Sequence, residues 1–149
     1  MKNLFLKSLI MILLGTFTFA ASAAESVYQA RGLAIKGYDT VAYFTQNEPV
    51  KGDKAFSTDY KGATWIFASA ENLELFENDP AKYAPQYNGY CAYAMGAYGK
   101  KVKVDPNIYT IKEGKLYLNF NKKIGNTFNN DIDRYIADGD KNWQEEIAN

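Results

Sequence analysis

The chain contains a single cysteine, Cys91, and no histidine among its 149 residues. One thiol cannot form a disulfide within the chain, and without histidine no His-ligated zinc site can form. The fold must therefore be held together by side-chain packing. The 12 tyrosines, 9 phenylalanines and 2 tryptophans can supply such a core, because each buried ring removes a large apolar area from water.

The N-terminus has the pattern of a secretory signal peptide. Lys2 and Lys7 make the first residues positively charged, and an apolar segment follows over residues 9–20. Ala21-Ser22-Ala23 then has the small residues of a cleavage site. The apolar segment is shorter than the roughly 20 residues that span a bilayer. We therefore predict a signal peptide over residues 1–23 and a mature domain over residues 24–149. The mature domain is expected to be periplasmic or secreted, with no membrane span after cleavage.

The charge balance of the mature domain narrows the class of partner. Both lysines of the predicted signal peptide are lost on cleavage, which leaves 15 of the 17 basic residues against all 17 acidic residues. A slightly acidic domain lacks the basic face that binds nucleic acid. We therefore expect a small ligand, a metal ion or a periplasmic protein as the partner, and no nucleic acid.

Two β-hairpins are predicted from alternating apolar and polar residues around glycine-containing turns. Residues 55–60 and 63–67 flank Lys61-Gly62, and residues 108–111 and 116–120 flank Glu113-Gly114.

Short helices are predicted between and after the hairpins. Asp39 and Ser69 are placed as N-caps of two of them, and the second is expected to end at Asp79-Pro80. The small, apolar run 89–96 predicts a buried helical segment. Apolar residues at helical spacing over 124–136 predict a helix that ends at Gly139. The sum is a single α+β domain, with a small antiparallel sheet from the two hairpins packed against several short helices.

Three stretches of the mature chain carry a family resemblance. They are residues 34–44, which begin Ala34-Ile35-Lys36-Gly37-Tyr38-Asp39; residues 60–87, which include Trp65-x-Phe67-Ala68-Ser69 and Asp79-Pro80; and Gly89-Tyr90-Cys91-Ala92-Tyr93-Ala94. Read together, they resemble the YHS domain family, in particular its exported, stand-alone members.

The chain departs from the metal-binding relatives that this resemblance implies. In those relatives the second stretch carries two cysteines that contribute to a metal site, and their positions are Ala68 and Asn72 here. Neither side chain can act as a thiolate ligand for zinc or copper. The resemblance therefore implies a scaffold from which this ligand pair has been lost.

Cys91 can be interpreted in two ways. A cysteine among small residues is typical of a buried thiol that packs as a small hydrophobe. Alternatively, Cys91 and Met95 are four residues apart, so on a helix both sulfurs would share one face and could hold copper as Cu(I). No cofactor is certain, and copper is the candidate. A reactive thiol, or a disulfide between two copies, is a further alternative.

The ligand-binding candidates are Tyr38, Asp39, Tyr90, Cys91 and Tyr93, and the candidate metal ligands are Cys91 and Met95. Asp39 can be interpreted as a helix cap or as a carboxylate that faces a pocket near the Cys91 segment. The tyrosines can be interpreted as the walls of a pocket or as part of the core. The first hypothesis is an exported binding module for a soft metal ion or small ligand near Cys91. The alternative is a structural or accessory protein that binds a protein partner. Catalysis ranks last, because no imidazole can serve as acid or base.

Overall fold

The computed structural model describes residues 26–148 of the chain, so the predicted signal peptide lies outside the described residues. The described residues form eight strands and six helices. The strands are β1 Gln29–Ala30, β2 Leu33–Ala34, β3 Tyr38–Asp39, β4 Val50–Lys51, β5 Asp53–Tyr60, β6 Ala63–Phe67, β7 Asp105–Lys112 and β8 Lys115–Asn119. The helices are α1 Ala42–Thr45, α2 Ala70–Asn78, α3 Pro80–Tyr83, α4 Ala92–Tyr98, α5 Lys122–Asn130 and α6 Ile132–Ala148.

The predicted α+β class is confirmed, and both hairpins form where the turn residues placed them. Lys61-Gly62 joins β5 to β6, and Glu113-Gly114 joins β7 to β8. All four turn residues have positive φ, from 49° to 72°. This geometry matches the right-handed twist of the flanking strands, which explains why the two turns set the strand pairing locally.

The two hairpins lie in separate sheets, which the hydrophobic pattern did not reveal. The first belongs to a four-stranded sheet in the order β1-β2-β6-β5, in which β2 runs parallel to β6 and Leu33 pairs with Thr64. Because β2 occupies one edge of β6, that edge is closed to the second hairpin. Strands β7 and β8 pair only with each other, and β3 pairs with β4.

Two hydrophobic clusters form the core, and β8 lies between them. Leu116 and Leu118 point into the first cluster, which also contains Trp65 and Phe67, whereas Tyr117 points into the second. Successive side chains of a strand point to opposite faces, so this strand buries both of its faces. The second cluster is aromatic and packs against the C-terminal helices; its buried members are Tyr87, Ala92, Met95, Tyr117, Phe128 and Tyr135.

The helix boundaries confirm one prediction and correct another. Ser69 caps α2, with its hydroxyl oxygen accepting a hydrogen bond from the Asn72 N–H at 3.1 Å. The single helix predicted over 124–136 is wrong, because the chain breaks at Asp131 and α6 then continues through Gly139 to Ala148. Gly139 is a packing residue here: a Cβ at this position would lie 2.7 Å from the Tyr87 hydroxyl oxygen.

Two short left-handed turns pack against each other beside the first sheet. Ile35, Lys36 and Gly37 all have positive φ, and so do Tyr87, Asn88 and Gly89. Ile35 is fully buried, and its Cδ1 atom occupies the space where Gly89 would carry a Cβ. A β-branched or aromatic residue is strained in this region, so these turns are retained by their surroundings and not by local preference.

Replacing Gly89 with alanine tests this packing. Gly89→Ala should lower the free energy of unfolding by about 3 kcal/mol, because a left-handed alanine is strained and its Cβ overlaps Ile35. Gly114→Ala is the matched control, since Gly114 also has positive φ but no atom lies within 4 Å of the place that an alanine Cβ would occupy. The control should lose only about 1 kcal/mol in urea unfolding. Equal losses would contradict the proposed contact between the two turns.

Candidate functional site

Asp39 is buried at the end of β3, and its carboxylate accepts four hydrogen bonds. Its Oδ1 accepts from the backbone N–H groups of Val41 at 2.9 Å and Ala42 at 3.1 Å. Its Oδ2 accepts from the Ala68 backbone N–H at 2.8 Å and from Asn72 Nδ2 at 2.7 Å. The carboxylate therefore ties the start of α1 to the connection between β6 and α2.

These contacts are structural, but the predicted placement of Asp39 as the N-cap is wrong, because the N-cap of α1 is Val41. Asp39 lies two residues further upstream and accepts from the N–H groups of Val41 and Ala42. Both oxygens are engaged by N–H donors, and the side chain has no exposed surface. A carboxylate with all its acceptor positions directed at protein donors is stabilised in the core without a cation. In this arrangement neither oxygen faces a pocket, so the role of the Asp39 side chain is to stabilise the surrounding backbone. Its neighbour Thr40 is also buried, and the Thr40 hydroxyl has no hydrogen-bond partner among the described residues.

Ala68 and Asn72, the two positions that the family resemblance singled out, both belong to this network. The Ala68 N–H and the Asn72 amide donate to the same oxygen of Asp39. Hydrogen-bond donors around a carboxylate cannot act as metal ligands, so the residues present do not fit a metal ion at this place. Over residues 26–148, no group of three or more cysteine, aspartate or glutamate side chains is arranged to hold a metal ion.

Cys91 is buried and immediately precedes α4. Its backbone N–H donates to the Val102 carbonyl at 2.9 Å, and its Sγ donates to Asn119 Oδ1 at 3.6 Å. Burial raises the pKa of the Cys91 thiol, so the protonated form is favoured. A protonated, enclosed thiol is a poor nucleophile and a poor metal ligand.

Asn119 is the partner that sequence reasoning missed. It ends β8, is fully buried, and its Oδ1 accepts from the Tyr93 N–H at 3.0 Å as well as from Cys91. Its Nδ2 has no hydrogen-bond partner among the described residues. A polar residue inside the apolar stretch Leu116–Phe120 was the available signal, because a buried amide needs partners.

Met95 and Cys91 pack on different sides of α4. Cys91 belongs to the first cluster, and Met95 to the second. A shared helical face requires both residues to be helical, but Cys91 has a ψ of 117° and lies before the first helical residue. The candidate copper site at Cys91 and Met95 therefore lacks its helical basis and stays a prediction.

The three predicted tyrosines are partly exposed and have different neighbours. The Tyr38 ring lies under Lys51 Nζ at 3.9 Å. Tyr90 makes an edge contact with Tyr28, with ring centroids 5.7 Å apart. The Tyr93 hydroxyl is 3.4 Å from that of Tyr98, and this hydrogen bond raises the pKa of Tyr93 to about 12. Among the described residues, no ring contact or hydrogen bond joins these three tyrosines to one another.

Comparison with known proteins identifies one family. Residues 41–87, about a third of the chain, match the model of the YHS domain. This segment is similar to the YHS domain. It runs from Val41, whose N–H donates to Asp39, to the second left-handed turn, and it contains Ala68 and Asn72. A YHS domain is suggestive of a metal-binding module. Cys91 and Asn119 both lie outside the matched segment.

The other comparisons found no relative. No curated protein matched the chain, and no solved structure matched it. Within residues 26–148, none of the helices has the length and apolar character needed to cross a membrane.

Substitution of Asp39 tests its structural role. Asp39→Asn should lower the free energy of unfolding by at least about 2 kcal/mol, because an amide cannot accept from all four buried donors. Asp53→Asn is the control, since Asp53 is exposed and accepts one hydrogen bond from the Ala55 N–H at 2.8 Å. The control should lose less than about 1 kcal/mol in urea unfolding. Similar losses in the two variants would contradict the role assigned to Asp39.

The burial of Cys91 predicts slow reaction with a thiol reagent. In the native protein at pH 8, Cys91 should react at least about a hundredfold more slowly than in urea, since reaction requires an opening that costs about 3 kcal/mol. The raised thiol pKa acts in the same direction, because it lowers the native thiolate fraction. The chain has no other cysteine, so the signal reports Cys91 alone. A native rate equal to the denatured rate would show that the thiol is accessible.

Proposed function

We propose that this protein is an exported, non-catalytic binding module with a YHS domain, which takes up a small ligand or a metal ion near Cys91. One observation carries the proposal. Asp39 and Cys91, the two candidate site residues with reactive side chains, are buried in internal hydrogen bonds, whereas Tyr90 and Tyr93 on either side of Cys91 are partly exposed. Aromatic side chains of this kind provide contact area for a ligand without taking part in a reaction.

The absence of histidine from the sequence supports binding over catalysis. An activated serine or cysteine nucleophile usually depends on an adjacent imidazole as base. A catalytic carboxylate needs at least one oxygen that can reach a substrate. Asp39 has both oxygens engaged, and Cys91 is favoured in its protonated form. Neither group therefore offers the acid, base or nucleophile that an enzyme of the common classes requires.

The surface around Tyr90 has the composition of a small ligand site. The Tyr90 ring contacts the Tyr28 ring, and Lys101 Nζ lies 6.0 Å from the Tyr90 ring centroid and 5.7 Å from that of Trp143. The Ser26 hydroxyl lies 3.3 Å from the Tyr90 hydroxyl. Lys101 Nζ also pairs with Glu146 at 2.9 Å, so only its remaining N–H donors are open to a ligand. Aromatic faces beside such donors and hydroxyl groups suit a flat ligand that carries polar substituents. The Cys91 N–H donates to the Val102 carbonyl, and this hydrogen bond holds the backbone next to Tyr90 in place.

Native mass spectrometry of protein isolated from the periplasm tests the proposal. The polypeptide mass should correspond to a chain that starts at Ala24, which reports export and cleavage together. A non-covalent adduct should accompany wild-type protein and be lost in Tyr90→Leu. Leu75→Ala is the control, because Leu75 is an apolar residue that is 39% exposed and lies on α2, outside the surface around Tyr90. Protein that carries no adduct under any growth condition would favour the accessory-protein alternative.

The same preparation tests the copper site predicted at Cys91 and Met95. If copper binds there, elemental analysis will find it in wild-type protein at a fixed ratio, and Cys91→Ser will remove it. If the thiol only supports the surface, Cys91→Ser will keep the adduct and its metal content will equal that of wild type. Turnover of a substrate by the purified protein would contradict the proposal in both forms.

A further inference from the structure

A cavity of about 480 Å³ opens at the edge of the four-stranded sheet, away from the Cys91 region. It lies where the β1–β2 turn, the left-handed turn at Ile35–Gly37 and strand β4 meet. Its volume is within the range of small-molecule sites in proteins. The residues that line it are Ala30, Arg31, Leu33, Lys36 and Lys51.

Three of these five lining residues are cationic, and none is acidic. The Arg31 guanidinium makes no hydrogen bond or ion pair with any described residue. Lys51 is held in place from two sides, because its Nζ lies 3.9 Å from the Tyr38 ring centroid and donates to the Lys36 carbonyl at 3.3 Å. Converging cations in a concave site attract and concentrate anions.

One carboxylate, Asp105, interacts with Lys36 from outside the cavity. Its pKa is lowered chiefly by the Asn107 backbone N–H and to a smaller extent by Lys36. The Asp105 Oδ1 accepts from both nitrogens of Asn107, at 3.0 and 2.8 Å. Because that carboxylate is turned towards Asn107, it neutralises the lysine only in part.

Backbone preference does not explain the cations at two of these positions. Arg31 and Lys36 have φ of 54° and 56°, a region in which asparagine and glycine are favoured and other side chains are strained. Arg31 and Gly32 both have positive φ, as in a type I′ hairpin turn, where asparagine is the favoured first residue. Lys61 and Glu113 have a similar positive φ at the equivalent position of their turns, so the backbone alone does not distinguish Arg31 and Lys36. What distinguishes them is that both line one cavity together with Lys51.

Apolar groups form the remaining wall. Ala30 and Leu33 line the cavity directly, and the Leu33 side chain continues into the packing around Gly37 and Ile66. An inorganic anion would contact only the charged part of this lining. A ligand with an anionic end and a short apolar body would contact both parts, and apolar contact adds affinity in proportion to the area removed from water.

We propose that this cavity binds an organic monoanion, with its carboxylate between Arg31, Lys36 and Lys51 and its aliphatic body against Ala30 and Leu33. Arginine presents a planar pair of N–H donors to a carboxylate, and the two ammonium groups add charge-assisted hydrogen bonds. The lining shares no residue with the surface around Tyr90. The site therefore goes beyond the proposed function and can fail or succeed independently of it.

Isothermal titration calorimetry with hexanoate tests the site in the purified protein. Hexanoate should bind at one site, and its affinity should fall as ionic strength rises, because salt screens partly exposed charges. Inorganic phosphate and 1-hexanol should each bind more weakly than hexanoate, since each offers one half of the chemistry. No saturable binding of hexanoate would overturn the proposal, and phosphate binding as tight as that of hexanoate would overturn the apolar part of it.

Asparagine variants separate binding from folding. Arg31→Asn and Lys36→Asn each suit the local left-handed backbone, so both should retain wild-type stability while hexanoate affinity falls by about tenfold or more. Lys61→Asn is the matched control, because Lys61 and Gly62 form the same kind of turn between β5 and β6 but Lys61 lines a different cavity. The control removes one positive charge and should leave affinity within about twofold of wild type. Equal affinity in all three variants would overturn the proposal.

Discussion

A buried carboxylate without a cationic partner is the constraint on which the centre of this fold depends. Removing a charge from water is costly unless hydrogen bonds replace the lost hydration. Asp39 meets this condition with four N–H donors from three parts of the chain: the start of α1, the end of β6 and the side chain of Asn72. The network stabilises these parts jointly, so it couples the segment that matches the YHS domain to the strand that precedes it.

A second dependence runs through the two left-handed turns. The Tyr28 N–H donates to the Asn88 carbonyl, and the Ile35 N–H donates to the Tyr28 carbonyl, so one short segment bridges both turns. Ile35 then packs on the Gly89 backbone. This arrangement holds strained residues that local preference would reject. It also fixes the backbone of Lys36, which lines the cationic cavity at the edge of the domain.

The internal hydrogen bonds determine which side chains of the molecule remain available for chemistry. The Ala68 N–H and the Asn72 amide donate to Asp39, and the Cys91 thiol donates to Asn119. Groups that are fully engaged in internal hydrogen bonds stabilise structure and are not free for reaction. The exposed functional groups are aromatic rings, amides, cations and carboxylates such as Glu71 and Glu74. Such groups suit the recognition of a small molecule. The surface around Tyr90 offers mainly aromatic rings, and the cavity at Arg31 offers mainly cations.

The sequence by itself determined the features that depend on neighbours in the chain. The hairpin turns at Lys61-Gly62 and Glu113-Gly114, the Ser69 cap and the α+β class all follow from residues within a few positions of one another. Only the tertiary structure decided the partners of Asp39 and Cys91, because Asn72 and Asn119 are 33 and 28 residues away along the chain. It also decided that the hairpins lie in separate sheets and that Gly139 remains inside a helix. Those outcomes depend on which strand reaches the edge of β6 and where the Tyr87 ring packs, and neither is encoded in a local pattern.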